Sequence, residues 1–198
     1  DQIQAGAIGR PVYMQVYRIG GGWGGIWAKN WRASRDASGG TLMEVNAHEI
    51  DFMRFCLGDV ATVYAAGGTY KQTQADFPDL AVVTLTFKRG AVGMLHSSQV
   101  SAISGYGGRV DGTEGSLSFP AIWGEGSGIH YKTWEGQPSF TPSAELKVPS
   151  PVRSELAAWV EAVLNNTEPP ITGLDGRAAV QIAEAAYNSI ASGKPVAL

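Results

Sequence analysis

Between Gly58 and Glu135 the chain consists almost wholly of strand-forming runs: "TVYAAGGTYK", "LAVVTLTFK", "AVGMLHSSQVSA", "YGGRVDGTEGSLSF" and "GIHYKTWE" follow one another with only short turn signals between them. Val, Thr, Tyr and Phe recur in them with a period of two, the spacing that sends alternate side chains to opposite faces of a pleated strand. "KRG", between Phe87 and Ala91, is a hairpin-turn candidate. These runs predict a mainly antiparallel sheet. Glycine fits the same picture: 26 of the 198 residues are Gly, roughly twice the usual share. Many of them stand in "GGGWGG", "SGYGG" and "GEGSG", which read as turns between strands.

The flanks of this region have other periods. Residues 1–10 look like the end of a helix stopped by Gly9 and Pro11, and "PVYMQVYRI" then alternates Val12, Met14 and Val16 against Tyr13, Gln15 and Tyr17, a strand pattern with one solvated or interface face. Residues 26–38, "IWAKNWRASRDAS", have no clean periodicity; their Trp, Lys, Asn and Arg suit a loop that lines a site better than a core. From Thr41 to Leu57 the period is helical. Leu42, Val45, Ile50, Met53, Cys56 and Leu57 gather on one side and Glu44, His48, Asp51 and Phe55 on the other, while Asn46 and Glu49 fall near the apolar side, as in a helix covered on more than one face. Two helices close the chain. "SPVRSELAAWVEAVLNN" opens with Pro151 and puts Leu156, Trp159, Val160, Val163 and Leu164 on one face; "DGRAAVQIAEAAYNSIASG" spaces Ala179, Ala183, Ala186 and Ile190 helically and stops at Gly193. With no internal repeat, low-complexity tract or linker, the pattern is one α+β domain.

Bulk properties narrow the partners. Lys and Arg total 15 against 18 Asp and Glu, a net charge of −3, which leaves no basic stripe for phosphates or anionic lipid, so neither nucleic acid nor a membrane is expected. The chain starts without the basic region and apolar run of a signal peptide, and no stretch approaches the ~18 apolar residues of a spanning helix. Cys56 is the single cysteine, so the chain can build neither a disulfide framework nor a cysteine zinc site, and a cytoplasmic location fits best.

Three motifs carry possible chemistry. "GGGWGG" formally contains G-x-G-x-x-G at Gly20, Gly22 and Gly25, but an aperiodic loop follows where a dinucleotide site needs a helix N-terminus to meet the pyrophosphate. His48, His96 and His130 fall on separate predicted elements with no further ligand at metal spacing, so no metal site is expected. The third motif is Glu44 with His48, four residues on. On one helix they share a face, so the carboxylate can fix the imidazole tautomer and aim the other ring nitrogen outward, which is how a general base is oriented. Spacing alone leaves open an ordinary solvated pair.

Along its length the chain resembles the Gfo/Idh/MocA family of oxidoreductases, named for glucose-fructose oxidoreductase and inositol dehydrogenase. "SGGTLMEVNAHEIDFMRFCLGDV" is similar to that family's glycine turn, carboxylate, histidine four residues on, "ID" and hydrophobic run to Gly. "AGAIGRPVYMQV", "NWRAS", "VDGTEGSLSF", "SELAAWVEAV" and "DGRAAVQIAEAAYNSIASGKPVAL" match its other segments in order.

The resemblance implies that residues 1–10 end a preceding Rossmann domain or crossover and that residues 11–198 are the second, substrate-binding and oligomerisation domain. The implied fold is a mixed, largely antiparallel open-faced sheet with helices on one face, the open face forming a homo-oligomer contact. NAD or NADP would be held mainly by the first domain, whose Glu-Lys-Pro lysine motif does not occur here. The implied reaction moves a hydride between a sugar or polyol CH–OH carbon and the nicotinamide, with His48 as the residue that takes or gives the hydroxyl proton. Glu44 stands where the family more often has Asp, one methylene shorter. Arg32, Lys29, Asn30 and Tyr106 are the implied ligands of substrate hydroxyls. The alternative is a non-catalytic sugar-binding or oligomerisation scaffold module.

Overall fold

The computed structural model describes residues 2–20, 31–71, 74–146 and 149–198. Its strands are β1 (Pro11–Ile19), β2 (Val60–Gly68), β3 (Leu80–Phe87), β4 (Val92–Ser98), β5 (Gly105–Gly112), β6 (Gly115–Phe119), β7 (Gly128–Thr133), β8 (Ser139–Pro142) and β9 (Val196–Ala197). They form one sheet in the order β8-β7-β6-β5-β1-β4-β3-β2-β9. β1 runs parallel to β4, with Met14 beside Gly93 and Val16 beside Leu95, while the other neighbours are antiparallel. The sheet is thus mixed and largely antiparallel, as the alternating runs require. β8 and β9 are too short to leave a periodic signal in the sequence.

The helices are α1 (Arg35–Ser38), α2 (Thr41–Glu44), α3 (Ala47–Leu57), α4 (Pro151–Asn165) and α5 (Gly173–Ser192). α3 lies over β1 and β4, and α5 over β2. The core sits between them: Met14, Val16, Val63, Ala65, Val83, Leu85 and Leu95 of the sheet meet Ile50, Met53 and Leu57 of α3 and Ala179, Ile182, Ala183 and Ala186 of α5. Burying each larger aliphatic side chain contributes about 1.5–3 kcal/mol. The alanines of α5 bring its backbone close enough for Ser189, fully buried, to accept a hydrogen bond from Ala65 N at 2.9 Å and donate one to Lys194 O at 2.7 Å. Thr172 and Asp175 close the start of α5 with a reciprocal capping box. Alternate strand positions, among them Tyr64, Val82 and Val92, stay exposed on the helix-free side.

Three local expectations need correction, and one helix face lies outside the core. The helix predicted over Thr41–Leu57 is two helices with a turn at Val45 and Asn46. Asn46 is fully buried, and its amide bonds to Ser97 and Glu49 instead of facing solvent, which bends the chain where a smooth helix would carry it past. Residues 2–8 form turns rather than a helix end, with Gly6 and Gly9 in the left-handed region at φ 75° and 68°. In the stretch expected to be a loop, Trp31–Ala33 make a 3₁₀ turn and α1 follows; the glycine loop and Lys29 and Asn30 lie outside the described residues. The apolar face of α4 does not enter the core: Leu156, Trp159, Val160, Val163 and Leu164 are exposed, and Ala162 is its one buried residue. Helical period reported that face correctly, but α3 and α5 already occupy the helix side of the sheet. Among the described residues no helix is long and apolar enough to cross a membrane.

Candidate functional site

Glu44 ends α2 and His48 stands in the first turn of α3, so the intervening turn separates what the spacing had placed on one helix. Glu44 Oε1 accepts a hydrogen bond from Arg32 Nε at 2.9 Å. The Arg32 guanidinium also covers the Trp31 ring, 4.8 Å from its centroid. Among the described residues no hydrogen bond joins Glu44 to His48, and His48 is exposed. The structure therefore brings together Arg32 and Glu44 and sets His48 beside them in sequence, with its imidazole open to whatever approaches. Gly40, at φ 74°, starts α2 where a Cβ would stand 2.4 Å from the Tyr187 hydroxyl, which itself accepts from Leu42 N at 3.0 Å. That close approach fixes the height of α2 and with it of Glu44.

Behind this surface lies a network that residue spacing alone did not single out. Glu49, 1% exposed, accepts from Arg18 Nη1 at 3.1 Å and from the Tyr106 hydroxyl at 2.5 Å on one oxygen, and from Asn46 Nδ2 at 2.9 Å on the other. Asn46 Oδ1 in turn accepts from Ser97 Oγ at 2.7 Å. Arg18 packs over the Tyr106 ring at 5.0 Å, and Trp123 meets that ring edge-on at 5.2 Å. Burial pushes the Tyr106 phenol well above its ordinary range, and the bond to Glu49 pushes it further, so it stays protonated and donates. Tyr106 therefore faces a carboxylate of its own chain. The signal that could have found this was the fall of Asn46 and Glu49 near the apolar side of the helical projection: a charge there needs a partner.

One turn beyond His48, Phe52 packs against Phe119 with ring centroids 6.0 Å apart. These two rings, with Phe55, Cys56, Leu117 and Tyr131, line a largely apolar cavity of about 480 Å³. Burial pushes the Cys56 thiol up to about 11, so it is neutral at ordinary pH. Among the described residues no three His, Cys, Asp or Glu side chains converge as metal ligands.

The chain is thus an open mixed sheet with helices on one side, carrying an Arg32–Glu44 pair and an exposed His48 at the start of α3. The family model described as "Oxidoreductase family, C-terminal alpha/beta domain" matches residues 1–198, and the chain belongs to this Gfo/Idh/MocA family. It is 34% identical to the uncharacterized oxidoreductase YrbE of Bacillus subtilis over 81% of this chain and 49% of that protein. It is 27% identical to the scyllo-inositol 2-dehydrogenase (NAD(+)) of the same organism over 100% of this chain and 57% of that protein. In fold it matches the aldose-aldose oxidoreductase of Caulobacter crescentus, solved with glycerol, with a TM-score of 0.84, 24% identity and coverage of 100% and 58% of the two chains. The chain spans about half the length of the curated relatives it matches.

Proposed function

We propose that this chain is the substrate-binding and proton-handling half of an NAD(P)-dependent oxidoreductase acting on a CH–OH group of a sugar or polyol. In this reading residues 1–10 lead out of a nucleotide-binding half and residues 11–198 form the substrate domain. The observation that carries it is the exposed His48 in the first turn of α3, four residues after the Arg32-bound Glu44, in a chain that the family match covers throughout. The inositol and aldose in the relatives' names supply the substrate class.

NAD or NADP, when bound by the other half, supplies the acceptor for hydride. His48 takes the hydroxyl proton as the carbinol C–H leaves with its electron pair, and returns it in the reverse direction, leaving a carbonyl or an alcohol. The site's donor chemistry fits that task, because an imidazole open to solvent can reach a substrate hydroxyl. Arg32 holds Glu44 in place and, with Lys29 and Asn30 before it in sequence, offers donors to the remaining hydroxyls. Tyr106, whose proton goes to Glu49, can offer substrate only its oxygen lone pair. The helix-free face of the sheet associates with a second copy.

The test is to assay the full-length protein with NAD and with NADP against a panel of inositols, aldoses and open-chain polyols, following nicotinamide absorbance. Turnover of at least one supports the reading; absence of nicotinamide binding by the folded protein would instead favour a non-catalytic binding or scaffold module. One observation favours that second reading: Glu44 is engaged by Arg32, not by His48.

A further inference from the structure

Glu49 is the most buried charged group in α3, and each of its oxygens is engaged. Stability does not account for it, since buried ion pairs replaced by apolar residues of similar volume commonly leave a protein as stable or more so. Position does. The bonds that reach Glu49 and its neighbour Asn46 come from three different strands: Arg18 on β1, Tyr106 on β5 and, through Asn46, Ser97 on β4. Three attachments from separate strands fix both the rotation of a helix end about its axis and its height above the sheet. Arg18 Nη1 also donates to Val45 O at 3.4 Å, which ties down the turn between the helix that carries Glu44 and the helix that carries His48.

We propose that Glu49 is a positioning residue: acting through Arg18, Tyr106 and Asn46, it locks the first turn of α3 and thereby sets where the His48 imidazole stands relative to the Arg32–Glu44 pair. The inference rests on the reading of His48 as the proton-handling residue. His48 lies between Asn46 and Glu49 in sequence and has no hydrogen-bond anchor of its own among the described residues, so its place is the place of the turn that carries it. Misplacement of an acid/base group by about 1 Å can lower turnover by about a hundredfold.

The experiment uses the full-length protein with a substrate that it turns over, and compares Glu49→Gln, Ser97→Ala and His48→Ala with the parent. Glu49→Gln keeps the shape and removes the charge that holds Arg18; Ser97→Ala removes the last donor of the network, away from the exposed surface. All are assayed at a temperature where circular dichroism shows each fully folded. The expected result is a fall in kcat of about ten- to a hundredfold for Glu49→Gln and a smaller fall for Ser97→Ala, with KM held within about threefold, because the group that moves acts on the proton and not on binding. If Glu49→Gln does not fold, the kcat of Ser97→Ala decides the question in the same way. Network variants that melt earlier but keep the parent kcat, alongside a His48→Ala that loses it, overturn this inference alone. A His48→Ala that keeps the parent kcat sinks the functional reading and this inference together.

Discussion

Arg18 Nη1 stands 3.1 Å from Glu49 Oε1, the arginine about a third exposed and the glutamate 1%. The pair joins the end of β1 to the first turn of α3 from beneath, so a strand residue and a helix residue 31 positions apart hold the surface on which His48 is displayed.

Removing Glu49 leaves the Asn46 amide and the Tyr106 hydroxyl without their acceptor, while Arg18 keeps part of its hydration. Glu49→Ala is expected to lower the unfolding free energy by about 1–3 kcal/mol, the cost of leaving buried donors unpaired, measured by urea denaturation. An unchanged unfolding free energy would mean that the network is slack.

The Arg32–Glu44 pair is a different case, because both side chains are partly exposed, at 28% and 21%. Its contribution to stability is expected to stay within about 1 kcal/mol. Arg32→Ala in the full-length protein should therefore leave the melting temperature nearly unchanged while raising KM for the polyol or aldose about tenfold or more, the loss of one charged hydrogen-bond donor. Unchanged KM would remove Arg32 from the substrate surface.

Cys56 titrates far from its ordinary value. With the folded thiol at about 11 against 9.0 unfolded, the half-buried thiol stabilises the fold at pH values below 9, and that contribution is lost as pH rises toward 11. At pH 8 the thiolate fraction is about a hundredfold lower than for a free cysteine of pKa 9.0. Labelling by a thiol-exchange reagent should be slowed at least that much in the native protein and recover in urea. Fast native labelling would show that the cavity beside Phe55 opens.

The α4 face makes the opposite kind of prediction. Leu156 and Val163 are 58% and 60% exposed, so changing both to Ser in this 198-residue chain should alter its unfolding free energy by no more than about 0.5 kcal/mol and reduce its tendency to aggregate. A large destabilisation would mean that the strip is covered within the chain.

The β-region was legible because its information is local: alternation in "LAVVTLTFK" names the buried Val83 and Leu85 directly, and the alanine spacing in α5 names its packed face. The break at Val45 and Asn46 was not, because it is set by Ser97, which lies 51 residues further on. The same holds for the candidate site. Glu44 and His48 could be picked out by spacing and resemblance, yet Glu44's hydrogen-bond partner turned out to be Arg32, which precedes it by 12 residues across two short helices and the turns between them. Long-range partners of polar side chains leave no periodic trace; a carboxylate on an apolar face is the one hint they give.

Whether His48 handles the substrate proton is decided by kcat of His48→Ala against the parent in the full-length protein at saturating substrate and cofactor. The expected result is a fall of about a hundredfold or more, the usual scale for loss of a general acid/base. A kcat equal to the parent's would contradict it and return His48 to an exposed histidine with no part in the chemistry.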